Sequence, residues 1–178
     1  MTRLVTIAAV VAGTLVWSGS DGERDAGATP VPAPARTTQP AAHTARLLGG
    51  GSTYAEQVVA LVNARRVQAG CTPVHANGRL SASARAHADD MAFRNYYEHQ
   101  SPEGRDGGDR IAAAGYSWTK WGENIDRGPK TPAEAMSEWM DSEDHREVIL
   151  DCSLKEIGVG VNLAGNGPWW VQNFGRRR

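Results

Sequence analysis

With 20 acidic and 19 basic side chains among 178 residues, the chain has a formal net charge of −1. That balance excludes the basic surplus of a nucleic-acid-binding domain, and the length suits one domain with appendages. The three arginines Arg176 to Arg178 read as a solvated tail and not as a binding patch.

The N-terminus reads as an export signal over residues 1–20. Arg3 supplies the positive start, and Leu4 to Trp17 is an uncharged, mostly apolar run too short to span a bilayer. Small residues follow at Ser18-Gly19-Ser20, with a second candidate cleavage site at Ala26-Gly27-Ala28. An uncleaved anchor is the alternative reading, and no cysteine follows the run to take a lipid. Residues 21–51 are rich in Ala, Pro, Thr and Gly, so they bury too little apolar surface to offset chain entropy and read as a disordered linker. The folded domain is expected over 52–178. The mature protein then has no transmembrane span and is secreted.

Cys71 and Cys152 are the two cysteines. In an exported chain an even pair favours a disulfide over two free thiols, and closing so long a loop stabilises a fold by roughly 2–5 kcal/mol.

Within the domain, Thr53-x-x-Glu56 is a capping box, followed by Val58, Leu61 and Val62 and stopped by Gly70. A second helix is expected from Ser81 to Arg94, with Ala84, Ala88 and Met91 on one stripe and His87 at its edge as a packing residue. A third covers Asp109 to Ala114. Thr131, Pro132 and Glu134 give a fourth helix its cap, first residue and capping box. A last helical stretch runs from His145 to Leu150. Ile157, Val159 and Val161 alternate with glycines as a strand, and Trp169 to Phe174 returns antiparallel. Trp121 to Asp126 supplies a third strand, so helices precede a closing hairpin in an α+β fold.

Three short strings carry the chemistry: Tyr97 to Pro102, Gly122-Glu123-Asn124, and Trp139 to Arg146. Each holds one group able to bind metal or move a proton, namely His99, Glu123 and His145. His99 and His145 are candidate metal ligands, with zinc as the cofactor this set suggests. Glu123 serves either as third ligand or as general base, and a hydrogen-bonded His–Glu–His network is the alternative. No serine sits in a Gly-x-Ser-x-Gly elbow, and Ser101 before Pro102 reads as a turn cap.

The run Leu80 to Ala92, with His99-Gln100-Ser101-Pro102, Asp109-Arg110-Ile111, Gly122-Glu123-Asn124-Ile125, His145 to Leu150, Glu156 to Gly160 and Gln172 to Gly175, resembles the CAP superfamily of cysteine-rich secretory, antigen 5 and pathogenesis-related proteins, in its bacterial secreted branch. That branch often carries a cysteine pair placed like Cys71 and Cys152. The resemblance implies an α-β-α sandwich with a central antiparallel sheet between helical layers. It also implies a cleft lined by His99, Glu123 and His145. A further family glutamate, shortly after the helix tryptophan, is replaced here by Ser142, with Asp141 and Glu138 as neighbouring carboxylates. The implied function is a secreted, non-enzymatic module binding an extracellular lipid, sterol or cell-wall component. The competing expectation is a zinc-dependent hydrolase of peptide or cell-wall substrates, and a third is an adhesive protein with a vestigial cleft.

Overall fold

The computed structural model describes residues 53–178. The expected export signal and the whole of the expected linker lie outside the described residues. The elements run α1 (Tyr54–Gln68), β1 (His75–Ala76), α2 (Gly78–Arg94), α3 (Gly107–Ala113), β2 (Trp118–Arg127), α4 (Pro132–Asp141), α5 (Glu143–Leu150), β3 (Glu156–Asn162) and β4 (Trp169–Arg177). The sheet order is β1-β3-β4-β2, antiparallel except for the two-residue β1, which adds parallel to β3.

Local capping chemistry sets the helix starts. Thr53 and Glu56 form the reciprocal box, the Glu56 carboxylate accepting from Thr53 N–H at 2.7 Å and the Thr53 hydroxyl from Glu56 N–H at 3.2 Å. The helix α2 begins three residues before its expected start because the Asn77 side chain accepts from the N–H groups of Arg79 and Leu80. Asp106 and Asp109 cap α3 in the same reciprocal way and pull its start forward to Gly107. The expected box at Thr131 is only half formed. Thr131 caps Glu134 N–H, but the Glu134 carboxylate turns to Lys130 N–H at 2.7 Å.

The sheet lies between two layers. On one face α1, α4 and α5 bury Val58, Val62, Met136, Trp139 and Ile149 against Ile157, Trp170 and Phe174. On the other, α2 lays Ala84, Ala88 and Met91 on Ile125, Trp169 and Val171. Gly158 and Gly160 permit this second contact. A Cβ on either would collide with α2 backbone, at Leu80–Ser81 and Ala84–Arg85 respectively.

The Cys71–Cys152 disulfide joins the segment after α1 to the segment after α5, with Cα atoms 5.0 Å apart. Arg66 ties down the same two segments from within. Fully buried, it donates to the carbonyls of Thr72, Ile149, Asp151 and Leu154 at 2.7–3.1 Å. The C-terminal arginines depart from the tail expectation. Arg176 and Arg177 belong to β4, and Arg177 pairs with Glu156 at 2.9 Å while lying over the Tyr116 ring.

Candidate functional site

The strand β2 forms one edge of the sheet, and its alternation sends neighbouring side chains to opposite layers. Glu123 and Ile125 face α2 and α3, whereas Asn124 faces α5, donating from Nδ2 to the His145 carbonyl at 3.0 Å. The long loop between α2 and α3 brings His99 to Glu123.

Glu123 is the most engaged group in the region. Its side chain is 1% exposed and receives His99 Nδ1 at 2.9 Å on Oε1. Arg110 Nη2 donates to Oε1 at 2.8 Å and to Oε2 at 2.7 Å. The Asn173 amide satisfies its surroundings when its nitrogen donates to Oε2 at 3.0 Å and its oxygen accepts from Ala84 N–H and the Ser83 hydroxyl, each at 3.1 Å. Carboxylate lone pairs are thereby used on both oxygens, and the negative charge is matched by a guanidinium that is itself 8% exposed.

His145 stands in the first turn of α5, on the other side of β2 from Glu123. No described residue hydrogen-bonds its ring. Burial lowers its pKa, and the nearby His99 lowers it further. The His99 ring is 55% exposed, so its Nε2 is open to solvent while Nδ1 is held by Glu123.

Of the three sequence-predicted groups, His99 and Glu123 are in direct contact, and the backbone of His145 is held by Asn124 on the α5 side of β2. Among the described residues no group of three His, Cys, Asp or Glu side chains is arranged to hold a metal ion. A zinc ion with three protein ligands does not fit, because Glu123 would first have to leave Arg110. Two imidazoles remain as donors. For the same reason Glu123 lacks the free lone pair a general base needs.

Asp141 is exposed at the end of α4, and Ser142 is the junction between α4 and α5, its N–H donating to Glu138 O at 3.3 Å. Neither hydrogen-bonds His99, Glu123 or His145. Glu138 lies near Asp126 and Tyr97 and contributes to raising the pKa of each. Ser101 closes a turn, its hydroxyl accepting from Arg105 N–H at 3.3 Å.

Arg110, Asn173 and His87 complete the site although the sequence did not mark them out as site residues. His87 is 1% exposed, its Nε2 facing the Glu98 carbonyl at 3.1 Å, and burial lowers its pKa while Glu123 opposes that effect. A charged Arg110 next to fully buried Ile111, within the short α3, was the one available signal. A cavity of about 360 Å³ adjoins them, lined by Ser83, His87, Ser101, Arg105, Arg110 and Ala113. The site thus offers an exposed imidazole, a half-buried imidazole and an adjacent cavity around a neutralised carboxylate.

A family model for the cysteine-rich secretory protein family, CAP, matches residues 59–174. The uncharacterized protein YkwD of Bacillus subtilis (strain 168) is 42% identical over 123 residues, 69% of this chain and 47% of that protein. The uncharacterized membrane protein YlbC of the same strain is 29% identical over 126 residues, 71% of this chain and 35% of that protein. The chain spans less than half the length of these curated relatives. An extracellular SCP-domain protein from Bacillus anthracis str. Ames superposes with a TM-score of 0.66 at 27% identity, over 72% of this chain and 45% of that one. An outer surface protein from Borrelia burgdorferi reaches the same TM-score at 18% identity, over 74% and 100%, and shares the fold. No helix among the described residues is long and apolar enough to cross a membrane. The match over most of the folded region, together with the shared α-β-α architecture, makes this chain a member of the cysteine-rich secretory protein (CAP) family.

Proposed function

We propose that this chain is a secreted extracellular CAP-domain protein that binds a ligand or partner without turning it over. The binding surface is the β2 edge with His99 and His145, together with the cavity beside Arg110. The observation that carries this reading is the state of Glu123. A carboxylate held by a buried guanidinium, an imidazole and an amide positions its neighbours and has no capacity left for proton abstraction. The imidazole of His145 has no partner among the described residues, and the outer nitrogen of His99 faces solvent. Both are donors or acceptors for an incoming group. Extracellular lipids, sterols and cell-wall fragments are the ligand classes to try.

The test is direct binding of labelled lipids, sterols and wall fragments to the purified protein, repeated with His99→Ala and His145→Ala. Saturable binding weakened about tenfold or more by either substitution, with ligand recovered unchanged, is the expected result. No binding by any of the three classes would remove the support for this reading.

A further inference from the structure

The cavity of about 360 Å³ between α2 and α3 has walls whose hydrogen-bonding groups do not balance. Ala82 and Ala86 of α2 line it together with Ala113 and Ala114 at the end of α3, which makes one wall apolar and open to solvent. The polar groups of the lining are nearly all engaged. The Ser83 hydroxyl is committed to the Asn173 amide at 3.1 Å, and the Ser101 hydroxyl accepts from Arg105 N–H at 3.3 Å. His87 Nε2 faces the Glu98 carbonyl at 3.1 Å. Asp90, the acid on this lining, is paired with Arg94 and accepts from the Tyr96 hydroxyl at 2.6 Å.

What remains are donors on two arginines. Arg110, 8% exposed, gives Nη1 to the Arg105 carbonyl at 2.9 Å and Nη2 to Glu123. Its Nε is buried and has no hydrogen-bond partner among the described residues. Arg105 is held through its backbone, because its carbonyl also accepts from Ser101 N–H at 2.9 Å. The exposed Arg105 guanidinium, in contrast, makes no hydrogen bond or ion pair with any described residue. Two guanidinium groups therefore line one cavity, and a carboxylate matches the charge of Arg110 alone.

A buried N–H without an acceptor costs stability, and a free guanidinium fork matches a planar carboxylate. A bare anion fills only a small part of this volume, and the alanine wall suits an apolar remainder. One unmatched positive charge calls for one negative charge, and the carboxylate of Asp90 disfavours a doubly charged group such as phosphate. We propose that the cavity binds a monocarboxylate with a short apolar body. The carboxylate sits on the Arg105 fork with Arg110 Nε as second donor, and the hydrocarbon lies against the alanines. This assignment rests on the binding reading given above and supplies the ligand class of its cavity, without drawing on either histidine.

Sodium hexanoate titrated into the purified protein at about pH 7, followed by backbone amide NMR, tests this. Saturable shifts are expected around Ala86, Arg105 and Ala113, with a Kd on the order of 1 mM for so small a ligand. Hexanol has the chain without the charge, and inorganic phosphate has the charge without the chain. Each should bind about tenfold more weakly or worse. Arg105→Gln, at an exposed position, should keep the fold and weaken hexanoate about fivefold or more. Ala86→Leu, also exposed, should fill the cavity and abolish the shifts. No saturable binding of hexanoate would overturn the assignment, as would hexanol or phosphate binding equally well. Equal hexanoate affinity in Arg105→Gln would overturn it too. The histidine-dependent binding is read with His99→Ala and His145→Ala instead, so either reading can fail while the other stands.

Discussion

Arg110 and Glu123 form a two-point ion pair, Nη2 lying 2.8 and 2.7 Å from the two carboxylate oxygens, with both side chains almost wholly withdrawn from water. The pair links α3 to β2 through the carboxylate that also holds His99 Nδ1. Removing one partner of such a pair strands the other charge. Arg110→Met should destabilise the fold by about 3–5 kcal/mol in urea denaturation. The double variant Arg110→Met/Glu123→Gln should cost clearly less than the sum of the singles, because the stranded charge is gone.

Acid should act on stability in two opposing ways. His87 and His145 both have pKa values lowered by burial, so the unfolded chain binds their protons first as pH falls through about 6.5. They therefore reduce stability on acidification. Asp126 works in the opposite sense. Its folded pKa of about 6 exceeds the unfolded value, so its ionisation weakens the fold at neutral pH and protonation relieves this as pH falls towards 4. Asp126→Asn should be more stable than the parent by about 2–3 kcal/mol at pH 7 and should lose that advantage below pH 4. Denaturation curves across this range check both signs.

The disulfide and Arg66 secure the same junction by different means. Reducing Cys71–Cys152, which closes a separation of 81 residues, should lower stability by about 4–5 kcal/mol on the chain-entropy model. Arg66→Met leaves four inward carbonyls without their donor and should cost at least about 3 kcal/mol, even with the bridge intact. Thermal unfolding with and without reductant separates the two contributions.

Close approach of α2 to β3 makes a sharper steric prediction. Gly160→Ala places a methyl group against the backbone of Ala84 and Arg85, which cannot swing aside as a flexible side chain could. The variant should lose on the order of 2 kcal/mol or more, read as a lowered unfolding midpoint.

Metal content addresses the competing hydrolase. Protein purified without tag histidines should hold clearly less than one zinc per chain by mass spectrometry. Two imidazoles without a third ligand make a weak site. Stoichiometric zinc, retained through dialysis and lost in His145→Ala, would require Glu123 to leave Arg110.

Signals within four residues of one another were legible in the sequence. Thr53 with Glu56, and Thr131 with Glu134 N–H, are local contacts that the chain spells out directly. The alternation in Ile157, Val159 and Val161 likewise gave β3. Asn77 escaped notice because its capping role depends on where the helix begins, and β1 because two residues carry no period. The site was only half legible. The strings carrying His99 and Glu123 stand out in the sequence, but the guanidinium that pairs with Glu123 belongs to Arg110, thirteen positions away and on another element. The effect of Glu138 on Asp126 was not legible either, because the two lie twelve positions apart on different elements.

The central claim is that Glu123 is a positioning carboxylate in a binding cleft. Incubating the purified protein with labelled cell-wall fragments, lipids and sterols, and following both bound ligand and product, tests it most directly. The account predicts saturable binding that His145→Ala weakens about tenfold or more, with no product formed by the parent or by Glu123→Gln. Product formed by the parent and abolished by Glu123→Gln, in a variant that remains folded, would contradict it.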